Sequence, residues 1–185
     1  AFDLSFLRCI PNLVVMAPSD ENELRNMLHT ALELPGPAAF RFPRGSGEGV
    51  ALDPEPKVLE VGKGRLVRAV PGKPDVCVVA LGTTVRPALA AAEALAAEGI
   101  QVSVVDARFV KPLDEELVAG EAARARRVVT VEEGCLAGGF GSAVLEALER
   151  RGLLAEGIPT RRLGLPDAFV THGEQGKQRA ELGID

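Results

Sequence analysis

The chain has 185 residues, of which 46% are apolar and 25% are charged, and its formal net charge is −5. These proportions are those of a folded globular protein, and they exclude a disordered tail or a collagen-like repeat. The negative charge, with no basic tract, gives no electrostatic reason to expect nucleic-acid binding, and no apolar run approaches the roughly 20 residues of a membrane span. The length allows one full domain and a piece of another.

The first residues are Ala1, Phe2 and Asp3, with neither a Met nor a signal-peptide pattern, so we expect the chain to begin inside a longer protein. Cys9, Cys77 and Cys135 are odd in number and widely spaced. This spacing indicates neither a disulfide framework nor a zinc site, and we expect a cytoplasmic protein.

The first unit predicted is a strand, a helix and a second strand within residues 1–44. A short apolar run ends at Met16, and Asp20 and Glu23 have capping-box spacing for a helix that begins there. One apolar face is predicted for this helix, formed by Leu24, Met27, Leu28, Ala31 and Leu32. Residues 38–42 predict a strand parallel to the first. Because two strands and one helix cannot close a core, we expect the end of a larger α/β domain.

Residues 45–57 read GSGEGVALDPEPK and predict a linker, because glycine and proline interrupt any periodicity. In residues 58–185, an edge strand at 63–68 turns back at 71–74 into a buried strand at 76–81. Helices are then predicted at 85–98, 114–126, 140–150 and 175–182, and strands at 102–105, 128–131 and 160–163. This alternation predicts an α/β fold, a three-layer α/β/α sandwich with a mostly parallel sheet and an antiparallel edge.

Ligands of such sheets bind at the carboxyl ends of the strands, which makes Arg41 and Arg44 the leading candidates. Strand alternation places Phe40 and Phe42 on one face and Arg41 on the other, while Pro43 lets Arg44 project from the strand end. No acidic residue between positions 33 and 48 neutralises the arginines, and an Arg fork suits phosphate or carboxylate. A pair of ordinary salt-bridge arginines remains the alternative.

Two further segments could hold an anion at a helix start, the glycine-rich segment 134–142 and residues 82–84. The glycine-rich segment lacks nucleotide-binding spacing, so turn packing accounts for its glycines, and Thr caps account for residues 82–84. Glu132 and Glu133 point to opposite faces of a strand, so one of them is expected to cap or bridge rather than to work as an acid/base pair.

The segment 106–114 is predicted to form a structured interface loop, with Asp114 as a helix N-cap. His29 and His172 have no evident nucleophile beside them, and no cluster has metal-ligand spacing. We therefore expect no catalytic residue and no metal site within this chain.

Five segments resemble the 1-deoxy-D-xylulose-5-phosphate synthase family in order and approximate spacing. They are residues 1–12 (AFDLSFLRCIPN), 17–23 (APSDENE), 41–45 (RFPRG), 106–114 (DARFVKPLD) and 164–167 (GLPD). Phe6 and Phe42 stand where the family commonly has Tyr. The resemblance implies the carboxyl-terminal third of such an enzyme, with residues 1–44 as the tail of its pyrimidine-binding domain and 58–185 as a transketolase-type C-terminal domain.

The resemblance also implies the chemistry. Enzymes of this family use thiamine diphosphate and Mg²⁺ to decarboxylate pyruvate and join the two-carbon unit to glyceraldehyde 3-phosphate, in isoprenoid, thiamine and pyridoxal synthesis. The segments that bind the cofactor and an active-site His are expected to lie outside this chain, the His just before Ala1. Only Arg44 matches a family site residue, which grips the aldehyde's phosphate. The implied partners are the remainder of the enzyme and a second copy in a homodimer.

Two other hypotheses stay open on sequence alone. The chain could be a stand-alone regulatory or dimerisation domain that binds an anion at residues 82–84 or 138–142. It could also be the β-type subunit of a 2-oxoacid dehydrogenase, which transfers its acyl group to lipoamide.

Overall fold

The computed structural model describes residues 2–185. Its helices are α1 (Asp3–Leu7), α2 (Glu21–Glu33), α3 (Val85–Ala97), α4 (Glu115–Arg124), α5 (Phe140–Arg150) and α6 (Gln175–Leu182). Its strands are β1 (Val14–Met16), β2 (Ala38–Phe40), β3 (Arg65–Arg68), β4 (Val76–Ala80), β5 (Val102–Asp106), β6 (Phe109–Lys111), β7 (Val128–Cys135) and β8 (Thr160–Leu165). A 3₁₀ turn, Gly82–Thr84, precedes α3.

The larger sheet has five strands in the order β3-β5-β4-β7-β8. All neighbours are parallel except β3, which pairs antiparallel with β5 at the edge. The predicted α/β class and the antiparallel edge are confirmed. The direct return of β3 onto β4 is not observed, because both edges of β4 are occupied by β5 and β7.

Helices cover both faces of this sheet, as a three-layer sandwich requires. Along β4, Cys77 and Val79 face a core that α4 and α5 complete, whereas Ala80 belongs to the core beneath α3. The alternation follows from the period of two along a strand. Ile184, beyond α6, is buried beside the α3 face and brings the end of the described chain back onto the sheet.

The smaller sheet has the order β2-β1-β6. The predicted parallel pairing of β1 with β2 is confirmed. Strand β6, which follows β5 in the chain, pairs antiparallel with β1 and so joins the two sheets through one connecting segment. Neither β6 nor helix α1 was expected from local sequence, since both are short.

Helix α2 begins as predicted, with the Asp20 side chain accepting a hydrogen bond from the Glu23 backbone N–H at 2.8 Å. The expected apolar face is wrong in this chain, because Leu28 is 48% exposed and Leu32 is 75% exposed, while Met27 is buried. The buried positions of α2 include three polar residues, Glu23, Asn26 and Thr30. These side chains serve as hydrogen-bond partners for neighbouring segments.

Residues 45–57 contain no helix or strand, yet they are attached along α2. Glu21 accepts backbone N–H bonds from residues 48–50, Asn22 accepts one from Asp53, and Asn26 accepts one from Lys57. Thr30 continues the series by accepting from the Leu59 N–H at 2.8 Å. A spacing of four residues puts Asn22, Asn26 and Thr30 on one helix face, which explains how a segment without its own structure is held.

Strand β7 extends to Cys135 and β8 to Leu165, beyond the predicted ends at 131 and 163. The extension follows from their pairing, which continues past an irregularity to Cys135 and Leu165.

In the part of the chain that the structure describes, no helix has the length and apolarity needed to cross a membrane.

Candidate functional site

The leading candidate site is the arginine loop, residues 41–45, which follows β2. The loop is anchored at its start by a hydrogen bond from the Arg41 N–H to the Met16 carbonyl at 2.9 Å. As predicted, Phe40 and Phe42 share one face, with stacked rings whose centroids are 6.3 Å apart. Arg44 is exposed at the strand end.

Arg41 is not a free cation, although no acidic residue lies near it between positions 33 and 48 of the sequence. Its guanidinium lies 3.3 Å from the Asp3 carboxylate and 3.4 Å from that of Glu133, and it also donates to the Glu133 carbonyl. Both acids come from distant parts of the chain, so a search among sequence neighbours could not find them. Arg41 therefore fits the salt-bridge alternative.

Arg44 differs from Arg41 in its surroundings. Within residues 2–185, its side chain has no ion pair and no hydrogen bond. It lines two cavities, one of about 630 Å³ and one of about 410 Å³. An exposed guanidinium with no internal counter-ion can bind an anionic ligand without first breaking a salt bridge.

Helix α6 supplies the opposite walls of both cavities. Gln175 and Arg179 line both, together with Arg44 and Gly45, and His172 lines the larger one. A Cβ atom at Gly45 would lie 3.0 Å from the Gln175 Oε1, so α6 approaches the arginine loop closely. Gln175 and Arg179 were missed from sequence, because α6 is separated from the loop by about 130 positions and has no recognisable motif.

Glu133 links Arg41 to α6. The Arg179 Nε donates to Glu133 Oε1 at 2.5 Å, and its Nη2 donates to Thr83 Oγ1 at 3.0 Å. The side chains of Arg41, Glu133 and Arg179 are all at most 20% exposed. A single carboxylate thus joins a guanidinium from the arginine loop to one from α6.

Glu132 points the other way, as expected for adjacent residues of a strand. It is fully buried, and its carboxylate accepts from the backbone N–H groups of Phe140 at 2.7 Å and Gly141 at 2.8 Å. Burial raises the pKa of this carboxyl, while the two N–H donors act in the opposite direction. Glu132 therefore caps α5, and Glu133 bridges.

The glycine-rich segment 134–142 is not a free anion site, because Glu132 already accepts from its backbone N–H groups. A Cβ atom at Gly139 would collide with the Cys135 carbonyl oxygen and the Glu132 carboxylate. The packing explanation for its glycines is therefore correct. At residues 82–84, the Thr84 hydroxyl accepts from the Leu81 N–H at 3.2 Å, which caps the 3₁₀ turn, and its proton faces the carbonyls of Leu81 and Val131. Thr84 makes no side-chain cap of α3 itself.

The segment 106–114 is structured, as predicted, and it contacts α2. Asp106 is buried and contacts Arg65 at 2.7 Å, while Arg108 makes two hydrogen bonds to Glu23 of α2 at 2.8 and 2.9 Å. Burial raises the pKa of Asp106, and the adjacent Arg65 opposes that shift. Asp114 caps α4 by accepting from the Leu117 N–H at 3.1 Å. These ion pairs are structural.

Across residues 2–185, no group of three His, Cys, Asp or Glu side chains is arranged to hold a metal ion.

Comparison with protein families gives two matches that together cover most of the chain. Residues 62–185 match the family described as transketolase, C-terminal domain. The chain belongs to this family. Residues 1–48 match the transketolase pyrimidine binding domain. The transketolase resemblance seen in the sequence is therefore confirmed.

Curated relatives match over the full chain. The 1-deoxy-D-xylulose-5-phosphate synthase of Anaeromyxobacter sp. (strain Fw109-5) is 76% identical over 185 residues, which are 100% of this chain and 29% of that protein. The 1-deoxy-D-xylulose-5-phosphate synthase 1 of Geobacter metallireducens is 53% identical over 184 residues, again 100% and 29%. The chain thus spans less than a third of these relatives, and their names do not favour the dehydrogenase or stand-alone alternatives.

Solved structures agree with the transketolase assignment. A split-gene transketolase, described as an inactive β4 tetramer, superimposes with a TM-score of 0.84 at 37% identity and covers 98% of this chain and 57% of its own. Transketolase from Campylobacter jejuni superimposes with a TM-score of 0.70 over 99% of this chain and 26% of its own. At 19% identity, the second match supports the fold alone.

Proposed function

We propose that the chain is the carboxyl-terminal part of a thiamine diphosphate-dependent 1-deoxy-D-xylulose-5-phosphate synthase. The complete enzyme would join the two-carbon unit of pyruvate to glyceraldehyde 3-phosphate, at the start of isoprenoid, thiamine and pyridoxal synthesis. The supporting observation in the structure is that the Arg44 guanidinium, which has no partner within residues 2–185, lines two cavities. A sugar-phosphate acceptor carries the anion that such a group binds.

Arg44 would bind the phosphate of the aldehyde. A guanidinium offers parallel N–H donors that match two phosphate oxygens, and such charge-assisted bonds are stronger than neutral ones. The side chain is exposed at a strand end, where ligands of parallel sheets bind. Its neighbour Arg41 would stay in its salt bridges and support the loop.

The cofactor would be held by segments outside this chain. Thiamine diphosphate supplies the carbanion chemistry of pyruvate decarboxylation when bound. In the division proposed, residues 1–44 end the pyrimidine-binding domain, residues 45–57 connect, and residues 58–185 form the C-terminal domain. The remaining polypeptide of the enzyme and a second copy in a cytoplasmic homodimer, with Mg²⁺ as the metal, complete the proposal.

The test uses Arg44→Ala in the full-length enzyme. We expect the KM for glyceraldehyde 3-phosphate to rise about 10- to 100-fold, since one or two charge-assisted hydrogen bonds are lost. Pyruvate decarboxylation without an acceptor should stay within twofold of wild type. Arg161→Ala removes an exposed arginine on β8 and is the matched control, with no change in either measurement. An unchanged acceptor KM in Arg44→Ala would refute the assignment.

A further inference from the structure

Helix α6 belongs to the C-terminal unit, but its contacts are with the arginine loop of the first unit. Gln175 faces Gly45, and no Cβ intervenes between them. Gln175 and Arg179 line the same two cavities as Arg44. The wall opposite the proposed phosphate ligand therefore comes from the other unit.

Arg179 is the residue that fixes α6 in this place. Its guanidinium contacts Glu133 at the end of β7 and Thr83 in the 3₁₀ turn. With a side chain only 18% exposed, it is attached to two different strand ends of the larger sheet at once. Such a two-point attachment restricts both the rotation and the translation of a short helix.

The same Glu133 also holds Arg41, three residues before Arg44. Its carboxylate lies 3.4 Å from the Arg41 Nη1, and its carbonyl accepts from the Arg41 Nη2. Arg179 thus reaches the arginine loop by two routes, through Glu133 and Arg41, and through α6 and Gln175 against Gly45. Both routes end beside Arg44, which has no side-chain partner within residues 2–185 to fix it.

We propose that Arg179 is a positioning residue for the acceptor's phosphate, which holds Arg44 in place from the C-terminal unit. The inference rests on the proposed function, because it specifies how Arg44 is presented to its ligand. Arg179 does not bind the phosphate itself, since its guanidinium is occupied by Glu133 and Thr83. The phosphate subsite is therefore built by two units of the chain.

The experiment compares two acceptors in the full-length enzyme, glyceraldehyde 3-phosphate and unphosphorylated D-glyceraldehyde. In Arg179→Ala we expect the KM for the phosphorylated aldehyde to rise about tenfold, the cost of one charge-assisted hydrogen bond, with kcat within twofold. The kcat/KM for D-glyceraldehyde should change less than twofold. Lys177→Ala is the control, because Lys177 lies on the same helix and, among residues 2–185, pairs only with Glu174.

Two milder variants protect the test against a folding defect. Thr83→Ala removes one of the two acceptors of Arg179, and we expect a smaller rise of the same selective kind. Arg179→Lys keeps the charge beside Glu133 but has one nitrogen, which cannot contact both partners as the fork does. The KM of Arg179→Lys for glyceraldehyde 3-phosphate should therefore lie between those of wild type and Arg179→Ala.

A double-mutant cycle decides whether Arg179 acts through Arg44. If it does, Arg44→Ala with Arg179→Ala will have the same acceptor KM as Arg44→Ala alone, because the group being positioned is gone. If the two single-mutant increases in acceptor KM multiply in the double mutant, positioning is refuted. If Arg179→Ala lowers kcat/KM equally for both aldehydes, Arg179 has a merely structural role. If Arg44→Ala itself leaves the KM unchanged, the proposed function fails first, and the two failures are thereby distinguished.

Discussion

Two neighbouring loops carry groups that attract anions, the glycine-rich segment before α5 and the arginine loop after β2. In the first, backbone N–H groups at a helix start donate hydrogen bonds to the buried carboxylate of Glu132. In the second, Arg41 receives two carboxylates from distant segments, while Arg44 receives none within residues 2–185. The difference lies in whether the chain supplies its own counter-charge, and local sequence does not show this.

The cap of α5 can be broken directly, and we expect the largest effect there. Glu132→Ala leaves two buried N–H groups without an acceptor and should lower the free energy of unfolding by about 3 kcal/mol. Urea unfolding followed by circular dichroism measures this, since the chain has neither Trp nor Tyr for fluorescence. Glu156→Ala, at an exposed carboxylate, is the control and should stay within about 0.5 kcal/mol of wild type. A loss no larger than that of the control would mean that the cap contributes nothing.

The glycine-rich segment can also be tested by adding a single methyl group. Gly139→Ala places a Cβ atom against the Cys135 carbonyl oxygen and the Glu132 carboxylate, so we expect a loss of about 2 kcal/mol. Gly120→Ala is the matched control, because Gly120 is exposed within α4 and a Cβ there meets nothing within 4 Å. Alanine's helix propensity should stabilise that variant by about 0.5 kcal/mol or more. A lower free energy of unfolding in Gly139→Ala together with a higher one in Gly120→Ala would establish close packing at Gly139. Changes of the same sign in both variants would contradict it.

Sequence predicted the elements whose signals are local. The bounds of α5 match the prediction at both ends, as do those of the short helix α6, and Asp20 and Asp114 cap their helices as their spacing indicated. Short elements without such signals, α1 and β6, were not predicted, since their formation depends on contacts with distant segments.

The candidate site divides in the same way. Arg44 could be singled out from its place at a strand end, but the partners of Arg41 and the part played by α6 could not. Those contacts join residues separated by 38 to about 130 positions, and only the packing of the two units brings them together. Helix α2 gives the same lesson, because its polar face is buried by segments that its own periodicity cannot reveal.

The buried cap also predicts a pH dependence. Because burial raises the folded-state pKa of Glu132 above its ordinary value of 4.5, the folded chain binds this proton more tightly than the unfolded chain does. The contribution of Glu132 is therefore fully present below pH 4.5 and is lost as the pH rises through the raised pKa. Glu132→Gln lacks this titration, so the unfolding free energy of wild type minus that of the variant should fall with pH, by at most about 1.4 kcal/mol per pH unit. A difference that is constant or rises with pH would show that the N–H donors outweigh burial.

The smallest effect is expected at Arg44, and it separates binding from folding. Because its side chain is exposed and has no partner in residues 2–185, Arg44→Ala should change the unfolding free energy by less than about 0.5 kcal/mol. Arg41→Ala, three residues earlier, removes a half-buried guanidinium between Asp3 and Glu133 and should cost about 1–2 kcal/mol. Urea unfolding of both variants under one buffer condition makes the comparison. If Arg44→Ala destabilised the chain as much as Arg41→Ala, Arg44 would have a structural role and could not be the arginine kept free for a ligand. A neutral result would leave ligand binding as the reason for an unpaired guanidinium at the junction of the two units.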